Sequence, residues 1–180
     1  MLAAFLRIVS AALTSVALLA GCATFTSTNV ALKPDPPDRA ADSANLRKVV
    51  RIVDGDTIIL DAKEKVRLIG VDTPETVHPS KAVQCFGSEA KTFLRSMLEG
   101  KTIRLSLDPR YAKQNHKDKY GRTLGYVYLD DGRFLNVEII RLGYGRAYTR
   151  FPFQYAAQFV DVEKTAQRNG AGLWSNCPVS

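Results

Sequence analysis

Two acidic turns, Asp54-Gly55-Asp56-Thr57 and Asp72-Thr73-Pro74-Glu75, stand on either side of Arg67. Carboxylate and carbonyl oxygens are hard donors that suit calcium or magnesium better than zinc. A guanidinium offers a planar fork that takes two phosphate oxygens at once. A further carboxylate can accept a proton from water. Cation, fork and base together suit hydrolysis of a phosphodiester, because the base makes the nucleophile and the cations neutralise charge growing on phosphorus. Asp, Gly, Thr and Pro are also common turn residues, so either motif alone reads first as a turn. The pair, with an arginine five residues before the second, points to a site.

The elements around these turns would bring them together. Leu46–Val53 alternates and reads as a first strand; Ile58, Ile59 and Leu60 make a second run, and Val66, Leu68 and Ile69 a third. Folding the second run back on the third through Lys63-Glu64 carries both acidic turns to one end of a sheet, where Asp56, Asp72, Glu75 and Arg67 would converge. Ala90, Phe93, Leu94, Met97 and Leu98 then recur at helical spacing, with Gly100 as a stop. Thr102–Leu107 alternates as a strand. Asp108–Gly121 is a long polar, mostly basic loop, and a charge run of this kind usually reads as solvated. Leu124–Leu129 reads as a strand and Leu135–Leu142 as a short helix closed by Gly143. Tyr155, Phe159, Val162 and Ala166 line one face of a last helix ended by Asn169-Gly170. About five strands and three helices suggest a small α+β barrel, and roughly 130 residues suit one core.

Residues 1–21 do not fit that domain. Arg7 precedes an apolar stretch, Ile8–Ala20, that is too short to span a bilayer and ends Leu19-Ala20-Gly21-Cys22. This is the pattern of a bacterial lipoprotein signal peptide, in which Cys22 becomes the lipid-bearing terminus; ordinary secretory cleavage without lipid is the other reading. Ala23, where an inner-membrane lipoprotein would carry Asp, suggests the outer membrane if the host has one. Residues 22–45, with Lys33-Pro34-Asp35-Pro36-Pro37 and no apolar period, read as a tether from the anchored Cys22 to a domain at 46–176. Cleavage removes one charge, Arg7, from a net +7, so the exported chain stays basic and attractive to polyanions. Only His78 and His116 are present, so no zinc cluster is supported. Cys85 and Cys177 form an even pair that an oxidising compartment would join as a disulfide; two free thiols are the alternative.

The ordered motifs V-D-G-D-T at 53–57, R-L-I-G-V-D-T-P-E-T at 67–76, F-G-S-E-A at 86–90, D-K-Y-G-R at 118–122, N-V-E-I-I-R-L-G at 136–143 and G-L-W-S at 172–175 resemble the staphylococcal (micrococcal) nuclease, or thermonuclease, family from about Val49 to Trp174. The resemblance implies an α+β fold, a five-stranded OB-fold β-barrel with three α-helices. It implies a Ca2+-dependent hydrolase, an endonuclease of the thermonuclease type cutting DNA and RNA and leaving 3′-phosphate and 5′-hydroxyl ends; a single-stranded substrate and a monomer are the accompanying expectations. In that likeness Asp56, Asp72 and the Thr73 carbonyl are metal ligands, with Asp54 beside them. Glu75 is the general base, and Arg67 and Arg122 clamp the phosphate. Lys119 and Tyr120 contact a terminal phosphate. Near the family's aromatic pair for the base, Tyr148 keeps one member and Arg150 replaces the other; Arg150 can stack or grip phosphate, and Tyr148 can equally be core. The competing function is a non-catalytic OB-fold nucleic-acid-binding lipoprotein.

Overall fold

The computed structural model describes residues 45–76 and 82–178. The signal-peptide reading of residues 1–21, the lipidation of Cys22 and the tether up to residue 44 lie outside them, as does His78. Five strands close into a barrel: β1 (Leu46–Asp54), β2 (Thr57–Leu60), β3 (Lys65–Leu68), β5 (Thr102–Leu107) and β6 (Thr123–Tyr128), in the order β1-β2-β3-β6-β5. All neighbours are antiparallel except β3 and β6, which pair in parallel. That closed order, with helices outside, is the expected OB-type α+β barrel.

Alternation drives closure. Val49, Ile52, Ile58, Leu60, Val66, Leu68, Ile103 and Val127 point inward and are buried, and a closed barrel leaves no strand edge unpaired. The β2–β3 link is a short 3-10 turn, Asp61–Lys63, with Ala62 and Lys63 at positive φ. A charged network holds it: the Arg47 Nε donates to Asp61 at 2.6 Å, and the Thr123 hydroxyl donates to Glu64 at 2.6 Å.

Outside the barrel stand α1 (Gly87–Leu98), α2 (Leu135–Arg141), α3 (Ala156–Arg168) and a further one-turn helix, α4 (Leu173–Asn176), beyond the three expected. Asn136 on α2 is fully buried. Its Nδ2 donates to the Ile69 carbonyl and its Oδ1 accepts the Val127 N–H, both at 2.9 Å, so it pins the helix to β6 and to the residue just past β3 at once. A second small sheet pairs β4 (Val71–Asp72) with β7 (Arg146–Ala147), Asp72 opposite Arg146.

The basic stretch after β5 is ordered at its base. Asp108 is fully buried and accepts the Tyr126 hydroxyl at 2.6 Å and the Gln154 N–H at 2.8 Å. Residues Pro109–Gln114 form a 3-10 helix. Cys85 and Cys177 are joined as a disulfide, with Cα atoms 5.9 Å apart and a sequence separation of 92. A loop that long, closed covalently, removes unfolded-state entropy worth about 4 kcal/mol.

Candidate active site

The site is built at the end of the barrel where the β1–β2 turn meets the exit of β3. Thr57 pairs with Arg67 across β2 and β3, and the Asp56 carbonyl accepts the Leu68 N–H at 2.9 Å. Because Val66 and Leu68 point into the core, Arg67 between them points out, toward the acidic turns. Gly55 allows the two turns to close. A Cβ there would stand 2.7 Å from Thr73 Oγ1, closer than side chains pack.

Asp56 is 4% exposed and is saturated with donors. One oxygen takes the Thr57 hydroxyl at 2.9 Å and the Arg67 guanidinium; the other takes the Thr73 N–H and hydroxyl, each at 3.2 Å. The second arm of the fork reaches Asp72 at 3.3 Å and donates to the Val71 carbonyl at 3.0 Å. Arg67 therefore bridges Asp56 and Asp72. Crowding by surrounding protein pushes the Asp72 carboxyl up; Arg67 opposes this, Asp56 adds to it, and Arg146 pulls down.

Asp54 and Glu75 form a separate pair. Asp54 accepts the Gly55 N–H at 3.0 Å and the Thr76 hydroxyl at 2.7 Å. Burial, then a side-chain hydrogen bond with Glu75, push its carboxyl above the usual range. The Glu75 N–H donates to Gln84 Oε1 at 2.9 Å.

Of the residues expected to converge, Asp56 and Asp72 meet at Arg67, and Glu75 lies beside Asp54. Among the described residues no three His, Cys, Asp or Glu side chains gather at metal-binding geometry. The Arg67 fork engages Asp56 and Asp72, while the Thr76 hydroxyl donates to Asp54.

Arg122 makes its ion pair within its own loop. It precedes β6, whose Leu124 lies beside Arg67, so strand alternation puts Arg122 and Arg67 on the same outer face. Its Nε pairs with Asp118 at 2.7 Å. Asp118 also accepts the Tyr120 and Arg122 N–H groups, each at 2.9 Å, which explains why this loop end is fixed rather than simply solvated. Tyr120 is 71% exposed, with Lys119 Nζ 5.0 Å and the Arg122 guanidinium 5.3 Å from its ring centre.

Tyr148 is half-buried and Arg150 exposed. The sequence reading missed Phe151, which is 55% exposed with its ring centre 6.1 Å from that of Tyr148. An exposed aromatic beside a tyrosine is the available signal. Arg146 was also missed: it faces Asp72 across the small sheet and lies over the Trp174 ring at 4.4 Å. Spacing could not reveal it, since the β4–β7 pairing is non-local. A shallow groove of about 500 Å³ lies between α1 and Tyr144.

Comparison with known proteins gives the family. Residues 65–176 match the family described as staphylococcal nuclease homologue. The chain is 41% identical over 133 residues to a thermonuclease of Staphylococcus hyicus, covering 72% of this chain and 75% of the relative. It is 43% identical over 130 residues to a thermonuclease of Staphylococcus intermedius, covering 70% and 74%. It is 35% identical over 143 residues to endonuclease YncB of Bacillus subtilis, covering 74% and 65%. With a family match over more than half of its length and relatives above 40% identity over about 70% of it, the chain belongs to the staphylococcal nuclease family of hydrolases.

Proposed function

We propose that the protein is a calcium-dependent nuclease that hydrolyses phosphodiester bonds of DNA and RNA, prefers single strands and leaves 3′-phosphate and 5′-hydroxyl ends. The observation that carries this reading is Arg67 bridging Asp56 and Asp72 beside the Asp54–Glu75 pair. Two carboxylates gathered round one positive group suit a hard divalent cation, and Asp56, Asp72 and the Thr73 carbonyl are the oxygens that would hold it. When bound, calcium supplies positive charge against the charge that develops on phosphorus.

The remaining work falls to side chains of this chain. Arg67 would offer its fork to the phosphate, and Arg122 would offer a second fork from the same outer face. Glu75 takes a proton from the attacking water. Lys119 and Tyr120 receive a terminal phosphate. Tyr148 and Phe151 give a base two aromatic surfaces, and Arg150 adds a stacking or phosphate-binding cation. The basic chain strengthens attraction to the polyanion, which weakens with salt. Export and anchoring through lipid on Cys22, in the outer membrane if present, are consistent with the Cys85–Cys177 disulfide, which favours an oxidising compartment.

The test is digestion of single-stranded DNA in a calcium titration, with end-group analysis. Cleavage should stop on chelation, and Glu75→Gln should lower kcat by roughly 100-fold or more. A Glu75→Gln enzyme as fast as the parent would remove Glu75 from the mechanism. Tight binding of single strands with no turnover in calcium would identify a non-catalytic binding module instead.

A further inference from the structure

Both backbone groups of Glu75 are taken by one residue. The Glu75 N–H donates to Gln84 Oε1 at 2.9 Å, and the Glu75 carbonyl accepts the Gln84 N–H at 3.0 Å. The Gln84 carbonyl accepts the Gly87 N–H, at the start of α1, at 3.0 Å. The next residue, Cys85, is bonded to Cys177. The segment before Cys177 is itself fixed to the fold: the Leu173 N–H donates to the Gly143 carbonyl at 2.9 Å, and Trp174 lies under Arg146. A covalent path thus runs from the backbone of the C-terminal helix α4 to the residue that grips Glu75.

Residues 82–85 are exposed, so water competes for the Glu75–Gln84 bonds and their net strength is small. Hydrogen bonds of that kind hold a backbone in one place only where something else restrains both partners. The disulfide supplies the restraint for Gln84. The place of the Glu75 backbone decides how far its carboxylate can reach, and a displacement near 1 Å can cost about 100-fold in rate.

We propose that Gln84 is a positioning residue for Glu75 and that the Cys85–Cys177 disulfide holds Gln84 in register. This rests on Glu75 acting as the base. The test uses the purified full chain with a single-stranded oligonucleotide in saturating calcium, together with amide hydrogen exchange in calcium-free protein. Gln84→Ala should lower kcat roughly tenfold or more while KM stays within about twofold, and exchange at the Glu75 amide should accelerate. Gln84→Glu keeps an acceptor and should recover most of the rate. Cys177→Ser should move kcat and the Glu75 exchange rate in the same direction as Gln84→Ala, with melting curves confirming a folded protein at the assay temperature.

Parental kcat and unchanged Glu75 exchange in Gln84→Ala, alongside an inactive Glu75→Gln, would overturn the positioning role and leave the base in place. Unchanged kcat and exchange in Cys177→Ser would overturn the part given to the disulfide. A fully active Glu75→Gln would instead overturn the reading on which the proposal stands.

Discussion

The two arginines on the outer face of this barrel are held in opposite ways. Arg67 springs from a barrel strand and pairs with Asp56, their side chains 18% and 6% exposed. Arg122 ends a loop and pairs with Asp118 four residues away, at 24% and 16% exposure. Moving Arg67 strands a buried carboxylate, which is costly unless another cation replaces it. Moving Arg122 leaves a carboxylate that still keeps two backbone N–H donors and that water can reach. The first fork is thus tied to whatever neutralises Asp56; the second is tied only to its own loop. One consequence is that cation and phosphate binding should be coupled through Arg67 and largely independent at Arg122.

The largest effects break the comparison where the two arginines are alike. Arg67→Ala and Arg122→Ala should each lower kcat by roughly 100-fold or more, because each removes positive charge from a developing transition state. Steady-state kinetics on single-stranded DNA will check this; full activity in Arg122→Ala would place the second fork outside the reaction.

Stability then separates them. In calcium-free protein Arg67→Ala should cost about 3 kcal/mol, since it leaves Asp56 buried without its cation. Arg122→Ala should cost under about 1 kcal/mol, as a partly exposed pair within one loop. Calcium should restore part of the Arg67→Ala loss and little of the other, by mass action on the folded state. Urea unfolding with and without calcium measures both; equal losses would erase the distinction between wall and loop.

A smaller effect concerns the base. Tyr148→Ala and Phe151→Ala should each weaken binding of a single-stranded oligonucleotide by about 1 kcal/mol without changing the metal-free melting temperature by much. Fluorescence anisotropy under non-cleaving conditions will report it. Loss at Tyr148 with none at Phe151 would leave the exposed ring without a part in recognition.

The smallest effect lies in the loop's own anchor. Burial pushes Asp118 up, but the Arg122 N–H, the Arg122 fork and the Tyr120 N–H outweigh it and hold the carboxyl below its usual range. A carboxyl lowered by folding stabilises above its unfolded pKa near 4 and loses that contribution as pH falls through the lowered value. Asp118→Asn should therefore cost up to about 1 kcal/mol at pH 7, with the gap to the parent closing below about pH 4. A gap that persisted at pH 2 would mean that the side chain stabilises through shape rather than charge.

Much of this was legible from residue order. Strand boundaries followed from alternation, and the partners Arg67 and Asp56 followed from folding β2 on β3, because a hairpin is a local pairing. Less visible were Asp108 and Asn136, polar residues that lie fully buried and tie the basic loop and α2 to the barrel. Their partners, Tyr126, Gln154, Val127 and Ile69, are scattered along the chain, so no spacing announces them. The small β4–β7 sheet, Phe151 beside Tyr148 and the Gln84 grip on Glu75 were hidden for the same reason.

By itself the order of residues determined the barrel, the two acidic turns, the arginine between them and the even pair of cysteines, since each depends on period, turn chemistry or a count. Only the tertiary structure decided how the charges divide. Four carboxylates placed together by the turns share the Arg67 guanidinium and the hydroxyls of Thr57, Thr73 and Thr76. Which donor each one takes depends on distances and burial that exist only after the chain has closed on itself.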